Sequence, residues 1–126
     1  MSFAPEHFTV WAEIPVRDLD AGIAFYAAVT GGQVVRMDMG GSPVGLFMTA
    51  DSDKGVSANL FEGEPGPSDR GPVIYLVVDG GVRAAGERCV AAGGRVLGDP
   101  VTIPPGTYIY IADPDGNRVG LFEPAA

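Results

Sequence analysis

Alternating hydrophobic and polar positions open the folded part of the chain. From Val10 to Val16 every second residue is apolar, and this period of two predicts a strand with one buried face. After Asp18 or Asp20, either of which can cap a helix, apolar residues recur at helical spacing to about Thr30. The pair Gly31-Gly32 ends this helix. Three strands are predicted to follow, at 33–39, 44–49 and 56–62.

The second half of the chain repeats this order. The tetrapeptide Asn59-Leu60-Phe61-Glu62 is nearly identical to Gly120-Leu121-Phe122-Glu123, and Gly31-Gly32 matches Gly93-Gly94 at almost the same offset. The pattern predicts a single domain of two tandem βαβββ repeats. This domain covers 1–126, with repeat one at about 8–62, a linker at 63–71 and repeat two at about 72–123. Within repeat two, a helix is predicted at about 81–92 and strands at 72–78, 95–97, 107–112 and 118–123.

Composition limits the expected partners. The 126 residues include 8 Lys and Arg against 16 Asp and Glu, and the net charge of −8 repels phosphate backbones and anionic membranes. Neither a nucleic acid nor a membrane is therefore expected as a partner. No run approaches the roughly 20 apolar residues of a membrane span, and no leader sequence precedes the first strand. With a single Cys89 and no internal disulfide, a cytoplasmic location is expected.

Three features that resemble reactive groups are interpreted as structural. Cys89 lies on the apolar stripe of the second helix, with no histidine near it in sequence to act as a base. The run Asp113-Pro114-Asp115-Gly116-Asn117 has a Pro-Asp-Gly core, which is typical of a turn between the last two strands. His7 is the only histidine, and it is expected on the surface of a loose terminus.

Two motifs carry a family resemblance. The stretch Ile14-Pro15-Val16-Arg17-Asp18-Leu19-Asp20 leads to Phe25-Tyr26, and the stretch from Asp113 to Phe122 ends the second repeat. Together they resemble the vicinal oxygen chelate superfamily, which contains glyoxalase I, bleomycin-resistance proteins, fosfomycin-resistance enzymes and extradiol dioxygenases. The resemblance implies an α+β fold in which eight strands form an incomplete barrel with helices outside. It also implies a ligand cleft between the repeats, usually over a divalent metal, and a homodimer whose cleft forms within one chain or across two.

The four metal positions of that family hold residues unsuited to a metal. Transferred by motif, the first-strand positions fall at Trp11 and Val73, and the last-strand positions fall at Asn59 and Gly120. An indole, an isopropyl group and a hydrogen cannot coordinate, and one neutral amide cannot hold a divalent ion against water. Neither a metal nor another cofactor is expected.

The same strand faces are expected to form an apolar and aromatic pocket. These side chains either fill a collapsed barrel or bind a small organic ligand, with Trp11 and Glu13 able to receive a cation. Glu13 favours binding, because an inward carboxylate is costly unless it is wet or paired, here with Arg17 or Arg118. Strand parity places on these faces Trp11, Glu13, Asn59, Phe61, Val73, Tyr75 and Phe122.

Two functions remain open on this evidence. The first is a metal-free binding protein, similar to the drug-sequestering members of the resembled superfamily. The second is a lyase or isomerase that resembles glyoxalases in fold and uses Glu13 or Tyr75 without a metal. Any acid or base would have to be a carboxylate, a tyrosine or Lys54. The missing metal ligands favour the binding protein.

Overall fold

The structure, a computed structural model, describes residues 2–51 and 55–126. It confirms the α+β class and the order of the two repeats. The first repeat contains β1 (Trp11–Val16), α1 (Leu19–Thr30), β2 (Val34–Met39), β3 (Ser42–Phe47) and β4 (Ser57–Glu62). The second contains β5 (Ile74–Val77), α2 (Val82–Ala91), β6 (Arg95–Val96), β7 (Val101–Ile103), β8 (Gly106–Ala112) and β9 (Arg118–Pro124). Lys54 lies outside the described residues.

Both repeats fold into sheets with the same strand order. The first sheet runs β1-β4-β3-β2, and the second runs β5-β9-β8-β6 with β7 also paired to β8. In each sheet the first and last strands of the repeat are parallel neighbours. The sheets remain open and do not close into a barrel.

One strand of the second repeat is divided in two, which the sequence did not indicate. β6 pairs with the end of β8 near Ala112, and β7 pairs with its beginning near Gly106. Gly98 and Pro100 lie between the two short strands. Proline has no N–H to give to a sheet ladder, so the pairing stops there and resumes at Val101.

The repeated tetrapeptides end in glutamates that cap the helices. Glu123 Oε1 accepts a hydrogen bond from the backbone N–H of Val82 at 2.8 Å, where α2 has no side-chain cap of its own. Glu62 Oε2 accepts from the N–H of Leu19 at a longer 3.3 Å. At α1 the cap is supplied first by Asp18, which accepts from the N–H of Ala21 at 2.9 Å. Of the two predicted caps, Asp18 is therefore the one used.

The helices and the helix-facing sides of both sheets share one hydrophobic core. Phe25 and Tyr26 of α1, Val82 and Cys89 of α2, and strand residues such as Leu121 belong to it. Burial in this core raises the pKa of the Cys89 thiol to about 11, with the charge of Asp113 adding to the effect. A thiol held protonated in this way supports its structural interpretation.

Arg88 joins the two repeats at the end of α1. Its Nε donates to the carbonyl of Ala28 and its Nη2 to the carbonyl of Val29, both at 2.8 Å. Nη2 also contacts the carbonyl of Asp79 at 2.8 Å. The last turn of a helix has unpaired carbonyls and a partial negative charge, so a guanidinium from α2 stabilises α1 there.

The Asp113 turn is structural, as predicted. Asp113 is buried, and its carboxylate accepts from the N–H groups of Asp115 and Asn117, both at 2.9 Å. It also accepts from the Tyr26 hydroxyl at 2.7 Å. Burial, followed by this nearby carboxylate, raises the pKa of Tyr26 well above its ordinary value. The turn thus ties the second repeat to α1.

The side of each sheet that points away from the helices, here called its outer face, is rich in exposed apolar groups. Gly45 faces Ile23 of α1, so its neighbour Leu46 and the opposite Asn59 belong to the outer face of the first sheet. Exposed apolar side chains on the two outer faces are Trp11, Val35, Met37, Met39, Tyr75, Val77, Val101 and Ile103.

No helix in the described part of the chain is long and apolar enough to span a membrane.

The two glutamate caps predict unequal effects on stability. Glu123→Ala is expected to lower the free energy of unfolding by about 1 kcal/mol, the usual cost of a lost helix cap. Glu62→Ala is the matched control and is expected to cost less, because Asp18 already caps α1. Urea denaturation of both variants measures the difference. Equal losses would show that Glu123 does not act as the cap of α2.

Candidate functional site

The two metal positions of the first sheet are joined to each other. Trp11 Nε1–H donates to Asn59 Oδ1 at 2.7 Å. The Asn59 amide nitrogen donates to the carbonyl of Leu60 at 3.2 Å and to Glu13 Oε2 at 3.4 Å. Asn59 is 1% exposed, whereas Trp11 is 40% exposed. The single amide that could have served as a ligand is therefore engaged by the indole next to it.

On the second sheet, an aromatic ring fills the space beside Gly120, one of the two positions expected to hold a metal ligand. Gly120 lies opposite Tyr75, and a Cβ added to Gly120 would lie 2.4 Å from a carbon of the Tyr75 ring. The ring thus fills the space into which a side chain at position 120 would project. Val73 is half-buried just before β5. Among residues 2–51 and 55–126, no group of three or more His, Cys, Asp or Glu could hold a metal ion.

Three tyrosines form a cluster on the outer face of the second sheet. The hydroxyls of Tyr75 and Tyr110 are 2.7 Å apart, and the ring centroids of Tyr108 and Tyr110 are 5.2 Å apart. The hydrogen bond to Tyr110, followed by burial, raises the pKa of Tyr75 to about 12. Tyr75 is therefore a neutral phenol at neutral pH, suited to hydrogen bonding and unsuited to removing a proton.

Tyr108 and Tyr110 were not predicted as site residues. They lie opposite Phe122 and Gly120, so the alternation of β8 puts them on the same face as the predicted residues of β9. The period-two pattern of Tyr108 and Tyr110 was the available signal in the sequence.

A large cleft lies between the repeats. Its volume is about 820 Å³, and its walls come from β1, the end of α1 with the turn that follows it, the end of β3, the start of β4 and the whole of β5. Six consecutive residues, Val73–Val78, border it, so the unpaired edge of β5 forms one wall. Among the described lining residues, Asp79 supplies the one carboxylate, and Tyr75 supplies a phenol. Three predicted site residues line this cleft, namely Val73, Tyr75 and Phe122.

The other predicted site residues lie elsewhere. Glu13 is exposed and lines a second cavity of about 260 Å³, formed by β1, the linker and the start of β9. Trp11, Asn59 and Phe61 line neither cavity and lie on the outer face of the first sheet. Neither predicted structural partner of Glu13 pairs with it, since Arg17 binds Asp115 at 3.3 Å and Arg118 Nη2 donates to the carbonyl of Gly71 at 3.0 Å. The predicted set is thus split between three places.

Sequence comparison places the protein in a family. Residues 6–121 match the Glyoxalase/Bleomycin resistance protein/Dioxygenase superfamily. The chain belongs to this superfamily. A protein called "Putative glyoxylase CFP32" from Mycobacterium tuberculosis (strain CDC 1551 / Oshkosh) is 29% identical over 118 residues, 92% of this chain. The match covers 44% of that relative, so the chain spans less than half of its length.

Solved structures of the superfamily share the fold. A glyoxalase/bleomycin resistance protein from Albidiferax ferrireducens T118 superposes with a TM-score of 0.69 at 17% identity, covering 92% of this chain and 98% of that one. A genomically encoded fosfomycin resistance protein from Listeria monocytogenes gives 0.68 at 19% identity, covering 97% and 94%. At these identities the likeness concerns the fold alone.

The packing of Tyr75 on Gly120 predicts a position-specific cost. Gly120→Ala is expected to lower the free energy of unfolding by about 1–3 kcal/mol, because the added methyl group meets the ring. Urea denaturation measures this loss, which should shrink in a Tyr75→Ala background. Gly98→Ala is the control, since a Cβ there meets nothing within 4 Å. A cost at Gly120 that is independent of Tyr75 would contradict this packing.

Proposed function

We propose that this superfamily member is a metal-free binding protein that takes a small organic ligand, apolar or aromatic in character, in the cleft between its repeats. The observation that carries the proposal is the cleft itself. Its volume of about 820 Å³ falls in the range of roughly 300–1,000 Å³ typical of ligand pockets. Its walls are mostly apolar, and burying a ligand's apolar surface there supplies the binding free energy.

The polar groups of the cleft set the ligand's orientation. The Tyr75 hydroxyl donates or accepts a hydrogen bond, and the free edge of β5 offers backbone N–H and carbonyl groups. The Asp79 carboxylate can pair with a positively charged group of the ligand at one end of the cleft. Val73 and Phe122 supply apolar contact area. Such a site binds without needing a metal.

We also propose that the protein acts as a homodimer. The outer faces expose large apolar groups, among them Trp11 at 40%, Tyr75 at 47% and Val77 at 63%. Contiguous apolar surface of this kind favours association, and a twofold dimer uses the same patches on both chains. In that assembly Trp11, Asn59 and Phe61 would extend the ligand site from the outer face of the first sheet.

A lyase or isomerase is the other candidate, and the name of the mycobacterial relative supports it. Such a reaction needs a group that moves a proton near neutral pH. Tyr75 does not meet this need, because its pKa is raised to about 12. Glu13 lines a different cavity from the large cleft. Binding therefore has more support than catalysis.

Ligand binding is tested by a thermal-shift screen of apolar and aromatic small molecules together with divalent metals. A ligand at 100 times its Kd is expected to add about 2.7 kcal/mol to the free energy of unfolding, whereas the metals and a chelator leave it unchanged. Ala12→Leu, which narrows the cleft, should weaken binding. Ala24→Leu makes the same change on the exposed side of α1 and should not. Ligand affinity that is unchanged in Ala12→Leu would refute binding in the cleft. One metal ion per chain that survives dialysis would refute the metal-free site.

Dimer formation is tested by light scattering at micromolar concentration, where a mass of two chains is expected. Met37→Lys places a charge on the outer face of the first sheet and should shift the protein toward one chain. Val90→Lys is the matched control, because Val90 is 58% exposed on α2, away from both outer faces. A wild-type mass of one chain that persists on concentration would contradict the proposal.

A further inference from the structure

The second cavity holds opposite charges from the two repeats. It has a volume of about 260 Å³ and lies where β1, the linker and the start of β9 meet. Glu13 contributes a carboxylate from β1, and Arg118 contributes a guanidinium from β9. Among the ion pairs of the described residues, none joins Glu13 to an arginine. The cavity therefore keeps both charges without neutralising them against each other.

Each charged group has unused hydrogen-bonding capacity. The one side-chain contact of Glu13 among the described residues is the 3.4 Å approach of the Asn59 amide, which is long for a hydrogen bond to a carboxylate. Arg118 Nε is buried and has no hydrogen-bond partner in the described part of the chain. The Arg118 guanidinium carbon lies 5.8 Å from the Tyr110 ring centroid, and Nη2 donates to the carbonyl of Gly71. These contacts hold Arg118 in place and include no hydrogen bond from Nη1 to a described residue.

We propose that this cavity binds a small zwitterion of the α-amino acid class. Its ammonium group pairs with Glu13 and its carboxylate pairs with Arg118, whereas Arg70 at the rim is already paired with Asp69. The remaining walls are largely apolar and include Pro15 and Pro67, which suits a short aliphatic side chain.

The size of the cavity agrees with this ligand class. A sphere of 260 Å³ is about 8 Å across. An α-amino acid separates its two charges by roughly 3 Å, and a charge-assisted hydrogen bond of about 2.8 Å at each end gives a span of roughly 8–9 Å.

The pairing of charges also determines what the cavity excludes. A lone anion next to Arg118 would share the cavity with the Glu13 carboxylate, and a lone cation next to Glu13 would share it with the Arg118 guanidinium. A zwitterion leaves neither charge unpaired and is therefore favoured over either ion alone. This site is separate from the large cleft and does not depend on the function proposed for it.

The test is isothermal titration of the full chain with L-alanine, L-alaninamide and N-acetyl-L-alanine. The amide keeps only the positive charge of alanine, and the acetyl derivative keeps only the negative one. L-alanine is expected to bind at least about tenfold more tightly than either, since each charge-assisted hydrogen bond contributes roughly 1.5–3 kcal/mol. No binding of L-alanine at millimolar concentration, or equal binding of all three, would overturn the proposal.

Variants identify the groups responsible. Glu13→Gln should weaken L-alanine binding by about tenfold or more while leaving N-acetyl-L-alanine unaffected or slightly favoured. Glu87→Gln makes the same change on the exposed side of α2 and should leave all three titrations unchanged. Arg118 also contacts Gly71 and Tyr110, so it is replaced by Lys, which keeps the positive charge. The melting temperature of Arg118→Lys is measured in parallel to detect a loss of stability. Tight alanine binding that survives Glu13→Gln would overturn the assignment.

Discussion

The packing of α1 against α2 organises the rest of this molecule. The two helices and the helix-facing sides of both sheets form one core, and Arg88 of α2 satisfies the last carbonyls of α1. Since each helix covers its own sheet and also contacts the other helix, neither repeat buries its apolar surface alone. Most of the helix-facing side of the sheets is buried in this core and contributes to stability. Ligand contacts are consequently left to the outer faces and to the junction between the repeats.

The positions expected from the family resemblance to hold metal ligands contribute contacts within each sheet. Trp11 and Asn59 are hydrogen-bonded on the first sheet, and Tyr75 packs on Gly120 on the second. In both cases a bulky aromatic from the first strand of a repeat meets a small or neutral residue from the last strand.

Local patterns predicted the elements, whereas the assembly of the site required the structure. The period of two predicted the strands, and helical spacing predicted the helices. Asp18 caps the start of α1 and Gly31 caps its end, as expected. Strand parity correctly put Trp11, Glu13 and Asn59 on one face. Strand parity carries no information on how the two sheets are placed relative to each other. The predicted site therefore combined residues that lie in three places, namely two cavities and the outer face of the first sheet.

Other differences come from contacts between segments distant in sequence. The strand β7, which follows Pro100, was not predicted, and Arg17 and Arg118 have nearer partners than Glu13. The position of the Arg118 guanidinium near the linker depends on the Gly71 carbonyl, to which its Nη2 donates. Such placements follow from tertiary packing, to which a pattern of apolar residues is insensitive.

The glutamate caps also act as a check on strand register. In each repeat an aromatic residue of the outer face, Phe61 or Phe122, is followed directly by the glutamate that reaches a helix start. Side chains of a strand alternate, so a slip of one residue would turn the aromatic toward the helices and the carboxylate away from them. Misaligned pairing thus loses an apolar contact and a cap together. Correct alignment of β4 and β9 is in this way coupled to the formation of α1 and α2.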